Sequence, residues 1–329
     1  MNKNSIKYSA SIIGLLVIFI LPFILPEYPL HLFALSGIWI ILVLSLCLLQ
    51  GYIGELSMGH AAFFGIGAYS SVFMTMMGGI SFWVALPLCG IVAMIFGYLI
   101  GLVSLRLRGP YFAICTLGFA EIIRMVLVNW KDVSGGPDGI IGIPSPDSIL
   151  LPLIGQISFG SKMANYFLIY IFVLLTIYVV YRIVHSLMGY AVVAVREDQD
   201  YAECIGINTK RWKRFIYSIS AFFAGLAGSL FAHYVHFISP YSFGTGESFD
   251  LVIMIIVGGT GTIMGPIIGA ILLTLLPELL HAIKDYRMLI YGAILVIIIM
   301  YAPGGIAGLL KSFSNRFFPK LNTITRRGT

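Results

Sequence analysis

RIVHSLMGYAVVAVREDQDYAECIGINTKRWKR, from Arg182 to Arg214, is a compact mixed-charge stretch set between two apolar blocks at 163–181 and 215–237. Each block holds about 20 residues, enough to cross the hydrocarbon core of a bilayer as a helix. Helix signals run through the polar stretch itself. Gly189 reads as the end of the helix arriving from 163–181, Asp198 can cap a short helix over 199–205 with Gly206 as its stop, and Asn208 or Thr209 can cap the helix that follows. A membrane chain that keeps one such element uses it to dock another protein. The blander reading is a solvated loop whose cations serve only topology and lipid headgroups, and composition alone favours it.

Outward from this loop the chain is apolar almost everywhere. Hydrophobic residues make up 59% of the 329, charged residues 10%, and mean hydropathy is +0.97, which describes a chain dissolved in lipid with no room for a sizeable soluble domain. Apolar segments fall at 9–26, 30–50, 60–78, 81–104, 110–130, 163–181, 215–237, 250–260, 263–282 and 288–310. None shows the alternating pattern of an outer-membrane strand, so each is read as a helix whose backbone is satisfied internally. The expected fold is an all-α integral membrane protein, a polytopic bundle of about ten segments within a range of 8–10. Residues 1–329 are read as one transmembrane domain, with 182–214 as its cytoplasmic loop. Residues 1–26 begin with Lys3 and Lys7 and turn apolar without a small-residue cleavage site, and they are read as the first span.

Basic residues set the orientation. Lys3 and Lys7, Arg106 and Arg108, the cations of the polar loop, and a tail with Lys311, Arg316, Lys320, Arg326 and Arg327 all fall on one side if the spans number ten. By the positive-inside rule that side is the cytoplasm, with both termini there. The opposite face receives two turn-rich connections, SGGPDGIIGIPSPDS within 131–162 and HFISPYSFGTGESFD from His236 to Asp250, either of which can receive a soluble partner.

Two glycine-dense stretches interrupt the bundle, GYIGELSMGHAAFFGIGAYSS from Gly51 to Ser71 and VGGTGTIMGPIIGA from Val257 to Ala270. Close helix packing through small residues is one reading. The other is a pair of broken helices lining a translocation path, and the two are compatible. Gly54, Glu55, Ser57, Gly59 and His60 mark the first break, and Gly259, Gly261 and Gly265 the second. The segment at 250–260 is too short to cross as a straight helix and is read as a half-helix ending in that second break. Spans two to five start outside and spans seven to ten start inside, so the two sets form an inverted repeat if they are related.

Charges at membrane depth are costly and face an interior or a cavity. Glu121 and Arg124, three residues apart, are expected to pair on one helix face. Glu55 can cap or gate the first break, and His60 can bond its unwound backbone or simply pack. Chemistry is not expected: the sequence has no phosphate-binding G-x-x-x-x-G-K-[ST] loop, no nucleophile motif, and no metal spacing among Cys47, Cys89, Cys115 and Cys204. His233 and His236 share a helix face near the outer boundary and read as an interfacial pair. No cofactor, metal or nucleic-acid partner is expected.

The run GYAVVAVREDQDYAECIGINTKRWK at 189–213, with its R-E-D, A-E and G-I-N elements, resembles the coupling loop of the LivM type of permease subunit in branched-chain amino acid ABC transporters. GELSMGHAAFFGIGAY at 54–69, LRLRGPYFAICTLGFAEIIRMVLVNW at 105–130 followed by SGGPDGI, IVGGTGTIMGPIIGA at 256–270 and APGGIAGLL at 302–310 agree with that family, in its order. The resemblance implies an importer in the prokaryotic plasma (inner) membrane. It would have two ATP-binding subunits of the LivG/LivF type, a second permease of the LivH type and an extracytoplasmic substrate-binding protein. It places Arg196, Glu197, Asp198, Ala202, Glu203, Gly206 and Asn208 in the ATPase-coupling loop, with the short helix seated in a groove of the ATPase. The implied cargo is leucine, isoleucine and valine, with urea or short amides carried by related permeases. A secondary carrier or channel would need no docking loop, and a scaffold no glycine breaks.

Overall fold

The computed structural model describes residue 16, residues 18–151 and 155–279, and residues 290, 292, 293, 296, 300, 301 and 304–309. The segments 9–26 and 288–310 are therefore described only in part, and Lys3, Lys7 and the basic tail lie outside the described residues.

Ten helices organise the described chain: α1 Glu27–Cys47, α2 His60–Val72, α3 Phe82–Ser104, α4 Pro110–Asn129, α5 Lys162–Val184, α6 Leu187–Glu197, α7 Gln199–Cys204, α8 Thr209–Val235, α9 Thr245–Gly258 and α10 Met264–Leu279. A π-helical turn prolongs α1 through Ile53, and another prolongs α2 through Met77. Five helices, counting α1 with its extension, are long and apolar enough to span a membrane. They divide by burial. The apolar windows of α1 and α8 are each 78% buried, against 33%, 22% and 33% for α3, α4 and α5. A helix apolar all round belongs in the middle of a bundle, and α1 and α8 form its axis. Around them α2 and α3 pack on α8, α5 and α10 pack on α1, and α9 pairs with α10.

Small residues let the axis close. A Cβ on Gly67 would stand 2.2 Å from the carbonyl oxygen of Gly225, and one on Gly228 would stand 2.1 Å from that of Phe64, so α2 and α8 cross backbone against backbone. Where apolar burial gives no preference for protein over lipid, such close packing and interhelical hydrogen bonds hold helices together. Ser220 Oγ of α8 donates to the Ser45 carbonyl of α1 at 2.5 Å, and Ser71 Oγ of α2 lies 2.7 Å from Ser229 Oγ of α8.

The fold is all-α in the bundle, with four short strands in the turn-rich connections. β1 (Ile140–Ile141) pairs antiparallel with β4 (Phe237–Ile238), and β2 (Ile149–Leu151) pairs with β3 (Gly155–Ile157). The first pair laces the two turn-rich connections into one cap. His233 and His236 complete it: His233 Nδ1 lies 2.7 Å from the Pro144 carbonyl and His236 Nδ1 2.8 Å from that of Ile143.

Two expectations change. Gly189 does not stop the helix from 163–181. That helix ends at Val184, Ser186 caps α6, and Gly189 lies in the first turn of α6 with its N–H toward Ser186 Oγ at 3.4 Å. The segment expected at 250–260 starts five residues earlier, as α9 from Thr245, because Gly244 and Thr245 end the preceding 3₁₀ turn. It is still a half-helix, about 21 Å long at 1.5 Å per residue. The breaks at 54–59 and 259–263 occupy different places in the two sets of spans. One follows the first helix of its set and the other follows the second, α9, so the chain turns at the same end of the bundle by two different connections.

Candidate coupling site

The polar loop folds as three local decisions. Asp198 Oδ1 accepts from the Tyr201 N–H at 2.9 Å and starts α7. Gly206, at φ +88°, ends it in the left-handed region that favours glycine. Asn208 Oδ1 then accepts from the Arg211 N–H at 3.0 Å and starts α8. Between them Glu203 accepts from the Thr209 hydroxyl at 2.5 Å and from Gln199 Nε2 at 3.3 Å, closing α7 onto the start of α8. Those donors hold the Glu203 carboxyl below the usual carboxylate range, the Thr209 hydroxyl first.

Ala202 points inward and is 1% exposed, while Tyr201 and Ile205, four apart and flanking it, are 67% and 58% exposed. Asp200 is also exposed and meets Arg108 of the α3–α4 turn in a forked pair, 2.8 and 3.2 Å. The guanidinium holds its carboxyl below the ordinary range. The short helix thus presents an apolar pair outward and is tied sideways to a neighbouring turn. The exposed pair of Tyr201 and Ile205 was not among the expected loop residues, because exposure is decided by which side Ala202 buries.

Beneath α7, the loop reaches both helix breaks. Arg196 Nη1 donates to the Gly51 carbonyl at 2.8 Å, on the π turn before the first break, while its Nε holds Glu197 Oε1 at 3.2 Å. At Gly54, φ +81°, a Cβ would stand 2.8 Å from Arg196 Cγ, so this position needs glycine on two counts. At Gly261 of the second break, a Cβ would stand 3.7 Å from Arg196 Nη1. One side chain of the loop therefore lies against both breaks.

A second connection is ionic. Lys213 Nζ of α8 donates to Glu55 Oε1 at 2.5 Å and to Gln199 Oε1 of α7 at 2.9 Å. Lys213 is 3% exposed and Glu55 6%. Glu55 Oε2 has no hydrogen-bond partner among the described residues. Glu55 is thus neither a helix cap nor a free gate; it is the buried end of a chain running from α7 through Lys213 to the first break. Lys213, which the sequence offered only as a topological cation, is the linking residue.

The remaining expected residues hold the breaks. Gly59 packs so closely that a Cβ would stand 2.6 Å from the Thr116 carbonyl, and the next contact is the Met58 N–H on Thr116 Oγ1 at 3.0 Å, so the first break rests on α4. His60 does not bond unwound backbone; its Nε2 lies 2.7 Å from Ser45 Oγ of α1. Ser57 is fully buried. Gly259, at φ +116°, turns the chain out of α9, and the Gly265 N–H donates to Thr262 Oγ1 at 3.0 Å to start α10.

Glu121 and Arg124 pair as expected, with Arg124 Nε at 2.9 and 3.1 Å from the two carboxylate oxygens. They lie away from the loop, in an open cleft of about 520 Å³ with Leu117, Tyr241 and the start of α9 at Gly244–Gly246. The Arg124 guanidinium stands 5.9 Å from the Tyr241 ring centroid. Among the described residues no group of three His, Cys, Asp or Glu could hold a metal ion.

Residues 28–299 match the family described as branched-chain amino acid transport system, permease component. The chain is 34% identical over 321 residues to the high-affinity branched-chain amino acid transport system permease protein LivM of Escherichia coli K12, covering 92% of this chain and 76% of that one. It is 26% identical over 288 residues to the corresponding permease protein LivH of Salmonella typhimurium, covering 83% and 92%. Similarity extends, at 25% over 202 residues, to the autoinducer 2 import system permease protein LsrC of Yersinia pseudotuberculosis, covering 59% of this chain and 53% of that one. No solved structure matches the chain.

Proposed function

The chain belongs to the permease-component family of branched-chain amino acid transport systems, and from that premise we propose that it is one of two permease subunits of an ABC importer for leucine, isoleucine and valine. In this reading a LivH-type chain is the second permease, one of the two LivG/LivF-type ATPases docks on the polar loop, and an extracytoplasmic binding protein delivers substrate to the β1–β4 cap. The basic end of the bundle faces the cytoplasm, and the protein performs no chemistry of its own. Residues 1–329 act as a single permease domain, with 182–214 as the coupling loop.

The observation that carries the reading is the joint path from α7 to the breaks. Tyr201 and Ile205 offer an apolar anchor for a groove on the ATPase, while Asp198, Gly206 and Asn208 fix the angle of α7. A shift of α7 is passed by Gln199 and Lys213 to Glu55 and, through the adjoining α6, by Arg196 to Gly51 and Gly261. Moving both breaks together changes the end of the bundle through which substrate leaves. The cleft at Glu121 and Arg124 supports a place on the outer part of the path, where a carboxylate, a guanidinium and the start of α9 stand beside apolar Leu117.

Co-purification tests this. The tagged chain, solubilised with its partners, is expected to recover ATPases and a second permease and to show leucine-stimulated ATP hydrolysis with binding protein present. Ile205→Asp should insert normally yet lose the ATPases. A chain that purifies alone and conducts leucine without ATP would overturn the importer in favour of a channel or secondary carrier.

A further inference from the structure

Two clefts meet at Arg214. One, of about 510 Å³, follows the seam between α3 and α8 and is walled by Met94, Ile95, Leu99 and Phe215, with Tyr98 and Trp212 toward its basic end. The other, of about 560 Å³, lies under the α3–α4 turn and is lined by Arg106, Arg108, Lys210 and Arg214, with Gln199 and Glu203 of α7. Arg214 lines both.

The chemistry changes along this joined hollow as it does along a lipid. Ile95, Tyr98, Leu99 and Phe215 are exposed on the bundle surface, where acyl chains are the solvent. A surface that serves only as contact with bulk lipid needs neither concavity nor cations, and this one has both. Arg108 is engaged by Asp200, but Arg106, Lys210 and Arg211 make no side-chain hydrogen bond or ion pair among the described residues. Arg214 lies along the seam, its Cγ 3.8 Å from where a Cβ on Gly101 would stand, and its guanidinium is 5.9 Å from the Tyr98 ring centroid. A long cationic side chain in this position keeps its stem on apolar surface and its head at the boundary. Tyr98 and Trp212 are the residue types that favour that boundary. Basic pockets between membrane helices bind anionic lipid headgroups.

We propose that this hollow binds one anionic phospholipid of the leaflet on the basic face. Its acyl chain lies between α3 and α8 and its phosphate among Arg106, Lys210, Arg211 and Arg214, against the docking helix α7. The leaflet is the cytoplasmic one under the orientation given above; the site itself does not depend on the importer reading.

The test uses the chain in its purified complex, stripped of lipid in neutral detergent and titrated with phosphatidylglycerol or phosphatidylcholine. Native mass spectrometry then counts the lipids retained. One phosphatidylglycerol per copy is expected to survive at a concentration at least tenfold below that needed for phosphatidylcholine. Arg214→Gln and, at an exposed position that folding does not need, Lys210→Gln should each weaken retention, and together by tenfold or more. Leu99→Trp, which fills the apolar cleft and leaves the cations, should weaken it as well. Equal retention of the two lipids would overturn the proposal in favour of bulk lipid contact. Loss on Arg214→Gln without loss on Leu99→Trp would reduce the site to a surface anion contact and overturn it too. So would a cross-link from Leu99→Cys to another protein, which would make this seam a subunit face.

Discussion

Replacing Lys213 by methionine keeps the length of the side chain and removes its charge. Glu55, 6% exposed, is then left as an uncompensated buried carboxylate, and Gln199 Oε1 loses its donor. Breaking a buried pair by removing one partner costs about 3–5 kcal/mol, whereas replacing both partners by apolar groups of similar volume is often neutral or stabilising. Lys213→Met should therefore lower the thermal stability of the detergent-solubilised chain sharply, and adding Glu55→Leu should restore most of it. Transport separates structure from transmission. In proteoliposomes containing the whole assembly, the double variant should keep ATP hydrolysis while leucine uptake falls at least tenfold, because α7 no longer reaches Glu55 through Gln199 and Lys213 and only the Arg196 route through α6 remains. Restored uptake in the double variant would refute the linkage and leave the pair a structural element. Unchanged stability of Lys213→Met would refute the burial itself.

Other outcomes follow from separate contacts. Gly67→Ala should destabilise the bundle by about 1–3 kcal/mol, since the new methyl meets the Gly225 backbone at 2.2 Å. Gly118→Ala, with open space at its Cβ, should leave detergent thermal stability unchanged. Asp198→Ala should cost about 0.5–2 kcal/mol through the lost cap of α7, read as a fall in ATPase co-purification that Asp198→Ser largely rescues. The Asp200–Arg108 tie has a definite pH sign. Because Arg108 lowers the folded-state pKa of Asp200, its contribution is complete above the unfolded carboxylate value of about 3.9 and is lost as pH falls through the lower folded value. Wild type should thus melt above Asp200→Asn by a constant margin at neutral pH, and that margin should shrink on the acid limb as Asp200 is protonated. A margin that changes between pH 6 and 8 would contradict the assignment.

Asp198, Gly206 and Asn208 were legible in the sequence because capping is local: each acts on backbone within three residues. Glu121 and Arg124 were legible for the same reason, one helical turn apart. Gly189 was misread because a glycine between two helices suits either end, and the hydroxyl of Ser186, three residues earlier, decides for the start. Lys213 and Glu55 lie 158 positions apart, and a lysine one turn inside a basic helix start is indistinguishable from a topological cation until α7 is folded over it. The β1–β4 pair could not be read at all, since two-residue strands carry no periodicity and their register comes from the meeting of distant connections. Glycine density marked both breaks correctly. It could not say that they lie at one end of the bundle, because that follows from the length of α9 and the reach of Arg196.

The bundle is fastened differently at its two ends. At the cap, β1 and β4 join through main-chain groups, and His233 and His236 add side-chain bonds to main-chain carbonyls. At the loop, the connection to the breaks runs through the side chains of Arg196, Lys213 and Glu55. A ladder of amides tolerates most substitutions that keep its strands extended, so the cap can vary in side chains without losing its shape. The opposite joint has no such tolerance: a single codon change can stiffen, loosen or disconnect it, which makes it, in the importer proposed above, the place where the gearing between motor and gate is most easily reset.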